Sequence, residues 1–219
     1  MIHVEPAPKP DTFDEYVGKP GNAIVERLLK EYGRSEGIPR KEFRSLWTEN
    51  RETDGNSVLD DLIDAYGGMC AYLGVYMERT AGCPTVDHYI PLSRDCGKAY
   101  DWSNYRLCSL HVNSSKRDWD VVDPFGRIDG WFRLNLYTYK VEPGPKAGEC
   151  SPDRMERTLS ILNLPKCVKG RGEYVKRYRG VKGTKLPMEE LRRYAPFIAA
   201  ELRDQNMLNV GDVWTDSDQ

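Results

Sequence analysis

Three amphipathic stripes lie in the first third of the chain. Val25, Leu28, Leu29 and Tyr32 recur at i, i+3, i+4 and i+7, with Asn22 placed to cap the segment and Gly33 to end it. Pro39 suits a first helical position, and Phe43, Leu46 and Trp47 would form the inner face of a second helix. Ser57 with Asp60 three residues on has the form of a capping box, followed by Leu59, Leu62, Ile63 and Tyr66 and stopped by Gly67-Gly68. Such stripes bury one face against a core, so all three read as scaffold.

After Gly67 the pattern changes. Residues 69–110 are rich in Tyr, Val, Cys and Leu but broken by Gly82, Pro84, Pro91 and Gly97, which predicts short strands, notably Thr85–Ile90 and Tyr105–Leu110. The polar run HVNSSKRDW predicts a short helix from His111. Asp129-Gly130 signals a two-residue hairpin turn, and Phe132, Leu134 and Leu136 alternate with polar neighbours as in a half-buried strand. Ser151-Pro152 opens a helix with Met155, Leu159 and Leu162 on one side and Pro165 just past its end. A last helix starts at Pro187, carries Leu191, Ile198 and Leu202 inward, and should kink at Pro196. The pattern divides the chain into an extended proline-rich arm (1–21), a helical segment (22–68), a strand-rich core (69–125), a β-hairpin (126–150) and a C-terminal helical segment (151–219). The fold class expected is α+β.

Composition narrows the function classes. With 34 acids against 32 bases in 219 residues the net charge is −2, which excludes a uniformly basic nucleic-acid coat. Residues 166–185 nevertheless hold eight bases and one acid, a local charge of +7 interleaved with Tyr174 and Tyr178. No stretch has the roughly 18 consecutive apolar residues a membrane span needs. The N-terminus lacks a basic leader and an apolar h-region, so a cytoplasmic protein with reduced cysteines is expected.

The candidate chemistry is concentrated in 86–118. VDHYIPLS supplies Asp87 and His88, DWSNYRL supplies Asn104, and NSSKRD supplies Asn113, Lys116 and Arg117. Asp-His, then Asn before a strand, then Asn followed by Lys resembles the ββα-metal core of HNH endonucleases. The resemblance covers residues 69–125 and includes the interval of nine between Asn104 and Asn113. It is similar to bacterial HNH proteins with a core beginning CAYLG, among them nuclease subunits of Septu-like and retron-associated antiphage systems. The resemblance implies metal-dependent hydrolysis of DNA phosphodiester bonds in antiphage defence, with one Mg²⁺ or Mn²⁺ per site held by Asp87 and Asn113. It makes His88 the general base, Asn104 the residue that orients it, and an ATPase subunit a partner.

The residue types suit that chemistry. A hard divalent cation takes oxygen ligands, and one carboxylate with one carboxamide leaves it strongly Lewis-acidic. An imidazole near its ordinary pKa of about 6.5 can accept a proton from water at neutral pH. Asp87 and His88 are adjacent on a strand and so point to opposite faces, which requires a bend or a site at the strand edge. Lys116 and Arg117, with Lys176, Arg177, Arg179 and Lys182 of the basic segment, would contact phosphates while the tyrosines stack on bases. Where many HNH proteins hold structural zinc, this chain keeps Cys70, Cys108 and His111. They read either as a reduced zinc site or as buried thiols beside a helix-start histidine. The alternative functional readings are a non-catalytic nucleic-acid-binding module and a partner-binding subunit on the same scaffold.

Overall fold

The computed structural model of the chain describes residues 1–80, 82–181 and 183–214. These residues are mixed α+β, with seven α-helices and two small antiparallel sheets. They form two compact units. The first comprises Val4–Ala71 and Met77–Phe125; the second comprises Met1–His3, Tyr72–Tyr76 and the described residues from Gly126 onward. Residues 22–71 and 77–125 lie in the first unit, and Tyr72–Tyr76 and the described residues from Gly126 onward lie in the second. Among the described residues no helix is long and apolar enough to cross a membrane.

In the first unit the N-terminal arm is packed rather than extended into solvent. The Ala7 N–H donates to the Tyr66 hydroxyl, and the Trp102 indole N–H donates to the Ala7 carbonyl. Helical backbone begins at Asp14 with a π-turn and continues as α1 (Lys19–Tyr32), so Asn22 lies inside the helix and does not cap it. The cause is an apolar stripe older in the chain than Asn22: Phe13 and Val17 are buried at i, i+4, continuous with Gly21, Val25 and Leu28. Pro20 lies just past the π-turn, where the helical hydrogen-bond pattern changes from π to α. Gly21 lets the helix approach Tyr100; a Cβ there would come within 2.2 Å of its ring.

The helix expected after Pro39 is replaced by two short 3₁₀ turns, Arg40–Glu42 and Leu46–Thr48. Pro39 is extended (ψ 137°) and Ser45 (ψ 55°) breaks the run, yet Phe43, Leu46 and Trp47 are buried as the pattern requires. Helix α2 (Val58–Ala65) has a reciprocal capping box. The Asp60 N–H donates to Ser57 Oγ at 3.3 Å, and the Ser57 N–H donates to the Asp60 carboxylate at 2.9 Å. Strand β1 (Pro84–His88) pairs antiparallel with β2 (Tyr105–Ser109), in a register that sets Asp87 opposite Arg106 and His88 opposite Tyr105. The chain then turns directly into α3 (Leu110–Lys116), capped by the Ser109 hydroxyl.

In the second unit β3 (Phe132–Leu134) pairs with β4 (Val141–Pro143), but Asp129-Gly130 does not make the reversal. It forms a turn before the hairpin, and the chain reverses at 135–140, where Asn135 Oδ1 accepts the N–H groups of Tyr137 and Thr138. Pro165 opens a new helix instead of merely ending the previous one: α4 (Pro152–Leu162) is followed by α5 (Pro165–Tyr178). At Pro196 the expected kink is a complete break, with Ala195 at φ −150° between α6 (Met188–Tyr194) and α7 (Pro196–Asp204). His3 Nδ1 lies 2.7 Å from the Gly126 carbonyl.

Candidate active site

Asp87, His88 and Asn113 line one cleft of about 680 Å³ in the first unit, together with Arg40, Trp47 and Arg117. Strand alternation determines what each side chain meets. Asp87 faces α3, where its Oδ1 lies 3.1 Å from Lys116 Nζ. His88 faces the opposite way, with its ring 4.5 Å from that of Trp47 and 5.0 Å from that of Tyr105. Both border the cleft, which is lined along the length of β1 by Pro84 to His88.

His88 is held in one tautomer. Its Nε2 lies 2.9 Å from the Ala99 carbonyl, which can only accept, so Nε2 carries the proton. Nδ1 keeps its lone pair and has no protein partner among the described residues. Burial pushes the imidazole down to about 3, reinforced by the charges of Arg40 and Lys116 and opposed by the Ala99 hydrogen bond. The ring is therefore neutral at physiological pH, and it does not keep the ordinary value of about 6.5 expected from the sequence, because it is desolvated.

Asn104 is 3% exposed and fixes the chain just beyond His88. Its Oδ1 accepts from the Ile90 N–H (2.7 Å), and its Nδ2 donates to the carbonyls of Ile90 (3.0 Å) and Lys98 (2.9 Å). The Lys98 bond ties Asn104 to the same short segment that presents the Ala99 carbonyl to His88. Asn113 is oriented by the same logic. Its Nδ2 donates to the Val86 carbonyl and to Thr85 Oγ1, both at 3.1 Å. A carbonyl cannot donate, so the amide is fixed and Oδ1 is turned away, with no donor among the described residues.

Lys116 does not occupy the position a phosphate-gripping residue needs. It is fully buried, and Nζ donates to Asp87 Oδ1, the His88 carbonyl (3.0 Å) and the Tyr89 carbonyl (3.3 Å). The spacing Asn113 to Lys116 puts both on the α3 face that packs on β1, which turns the ammonium inward. Arg117, the next residue, is exposed at φ 50°, outside the usual range for a residue with a Cβ.

Of the two readings of Cys70, Cys108 and His111, the geometry matches buried thiols beside an exposed histidine. Cys70 and Cys108 are both buried, and burial together with the Cys70 thiol raises the Cys108 thiol well above its ordinary value. His111 is exposed on α3, and among the described residues no group of three His, Cys, Asp or Glu side chains could hold a metal ion.

The basic segment is helix α5 and its C-terminal extension, in the second unit. Lys176 and Arg177 are exposed, with Lys176 Nζ 5.5 Å from the Tyr139 ring centre. Arg179 is half-buried against Met207 Sδ, and Lys182 lies outside the described residues. Two of the residues counted in the basic segment are structural. Arg171 is buried on the carbonyls of Tyr139 and Leu162, and Tyr178, expected to stack on bases, is buried with its hydroxyl on Asp212. Arg40 and Trp47 are the cleft residues that the sequence pattern did not point to. Trp47 is legible as a core residue, but no sequence signal links position 40 to position 88.

Compared with family models, with curated proteins and with solved structures, the chain gives no match.

Proposed function

We propose that the protein is a divalent-metal-dependent endonuclease of the HNH type that hydrolyses DNA phosphodiester bonds. One observation carries the reading: His88 has one nitrogen locked to a carbonyl and the other unpartnered at the wall of a cleft it shares with Asp87 and Asn113. The succession β1, β2, α3, with the histidine at the end of the first strand and the asparagine on the helix, supports it further.

The residues present fit a hard cation. Asn113 offers an amide oxygen that its own NH₂ bonds hold in place without a protein donor, and Asp87 offers a carboxylate at the same cleft. Asp87 and Asn113 would hold the ion, which when bound would supply Lewis acidity toward a phosphate oxygen and the leaving 3′ oxygen. His88 accepts the proton of the attacking water at Nδ1, since Nε2 is already protonated and held by Ala99. Asn104 keeps that carbonyl and the backbone after His88 in register, so the ring does not rotate out of line. Lys116 holds the Asp87 carboxylate in place through a hydrogen bond while anchoring α3 to β1.

A specific observation favours the second reading, a nucleic-acid-binding module without catalysis: the Asp87 carboxylate already neutralises a buried ammonium. Incubating supercoiled plasmid with the protein separates the two. The nuclease reading predicts nicking with Mg²⁺ or Mn²⁺ that stops with EDTA and in His88→Ala. DNA binding by the wild type with no nicking in either metal supports the module instead. The defence setting and an ATPase partner rest on the sequence resemblance.

A further inference from the structure

Two arginines border the cleft, and neither has a carboxylate partner among the described residues. Arg40 comes from the 3₁₀ turn after Pro39, and Arg117 from the residue that ends α3. Arg34, Arg94, Arg127, Arg177 and Arg193 are exposed and likewise unpaired among the described residues, so what sets Arg40 and Arg117 apart is that both stand at the cleft, while other exposed arginines are neutralised. Here Arg27 pairs with Glu31, Arg44 with Glu49, and Arg79 with Asp60 and Asp64. Arg40 is also rigid. Nη1 donates to the Phe43 carbonyl and Nη2 to Ser45 Oγ, both at 3.1 Å, and its Cζ lies 5.1 Å from the Trp47 ring centre. All three contacts are neutral, so the guanidinium is immobilised without being neutralised. Such a group binds an anion with little further loss of side-chain entropy. Trp47 is itself packed on the His88 ring, so Arg40 is tied to the candidate base through one intervening side chain.

Arg117 reaches the cleft by a different device. Its φ of 50° with ψ of −128° is a conformation that favours glycine, and a Cβ there is strained. A glycine would meet the backbone requirement with less strain, but it would carry no guanidinium. Asp87 does not offset these charges, since Lys116 already pairs with it, and Asp118 is the remaining acid at the cleft.

We propose that Arg40 and Arg117 form a clamp that binds the phosphate backbone of a nucleic-acid strand laid across the cleft in front of His88. The proposal rests on the nuclease reading for the identity of the strand but not for the binding itself. A guanidinium fork matches two phosphate oxygens, and two such forks at one cleft suit neighbouring phosphates of a polyanion better than a single small anion.

The test measures equilibrium binding of a fluorescent 20-nucleotide DNA duplex and of the matching single strand in EDTA, across a salt series, with inorganic phosphate as a competitor. The variants are Arg40→Gln, Arg117→Gln and, as a control outside the cleft, Arg27→Gln. Melting temperatures verify that each is folded, and Arg40→Lys serves if Arg40→Gln is not. Arg40→Gln and Arg117→Gln should each weaken Kd about 5- to 20-fold and lower the salt slope by about one. Arg27→Gln should match wild type, and millimolar phosphate should compete poorly. Wild-type affinity in both folded cleft variants, equal loss in Arg27→Gln, or no DNA binding by the wild type overturns the clamp. Full competition by phosphate at low millimolar concentration also overturns it, in favour of a small-anion site. The nuclease reading fails separately: a wild-type protein that binds through both arginines but leaves plasmid intact in Mg²⁺ and Mn²⁺ keeps the clamp and loses the hydrolase.

Discussion

Lys116→Met isolates the interaction on which the candidate site is built. The ammonium is fully buried and the Asp87 side chain is 3% exposed, so water screens the pair hardly at all. Methionine keeps the length and the apolar stem but removes the charge, leaving a buried carboxylate with its cation gone and the carbonyls of His88 and Tyr89 each short of a donor. Removing one partner of a buried ion pair costs about 3–5 kcal/mol, a large share of the roughly 5–15 kcal/mol that holds a typical domain folded. A lysine reaching from an exposed helix face toward DNA would cost about 0–0.5 kcal/mol on the same substitution. Urea denaturation followed by tryptophan fluorescence reads the difference, with Trp47 beside His88 as a local reporter. Asp87→Asn in the Lys116→Met background removes the buried negative charge, so the double variant should be less destabilised than the two single losses summed, by about 1–3 kcal/mol. A Lys116→Met protein within about 1 kcal/mol of wild type, or strictly additive single effects, would refute the buried-pair description.

Other consequences follow from the same geometry. The folded-state pKa of His88, about 3, lies below the unfolded value of about 6.5, so between these pH values the unfolded chain holds a proton that the folded chain refuses. Stability from this residue is complete above about pH 6.5 and is lost as pH falls, amounting to about 2 kcal/mol between pH 7 and 5. His88→Gln should flatten the melting temperature against pH over that window, and an unchanged slope contradicts a buried neutral imidazole. Asn104→Ala deletes three hydrogen bonds around Ile90 and Lys98, so it should cost about 2–4 kcal/mol by denaturation and lower nicking by at least tenfold. A variant as active as wild type would remove its positioning role. Arg117→Gly relieves a strained backbone and should raise stability by about 1 kcal/mol while weakening DNA binding; a loss of stability shows that the conformation is not strained.

Local signals carried the scaffold well where two of them agreed. Ser57, Asp60 and the paired glycines marked α2 correctly because cap, stripe and stop all lie within a dozen residues. The strands around Asp87 and Asn104 were legible from their turn residues, and α3 from its polar run. Proline misled in both directions. Pro20 and Pro165 read as reasons for helix to be absent, yet Pro20 lies at the junction of the π-turn with α1, and Pro165 stands in the first turn of α5, where proline is favoured. Asp129-Gly130 is a turn, but the chain reverses further on because Asn135 caps its own loop. Lys116 shows the limit at the site. A lysine beside an asparagine and an arginine reads as a solvated basic face, and only the fixed orientation of Asn113 on β1 makes the i+3 position inward. Arg40 lies 48 positions from His88, and chain distance alone gave no reason to join them.

The central claim is that Asp87 and Asn113 present their oxygens to one hard cation beside His88. Anomalous diffraction from crystals of the protein soaked in MnCl₂ tests it most directly. The account predicts one strong peak within about 2.0–2.4 Å of a carboxylate oxygen of Asp87 and of Asn113 Oδ1, absent from Asn113→Ala crystals treated alike. Full-occupancy manganese elsewhere with none at this pair, or crystals that take up no manganese while Asp87 stays on Lys116, would contradict it.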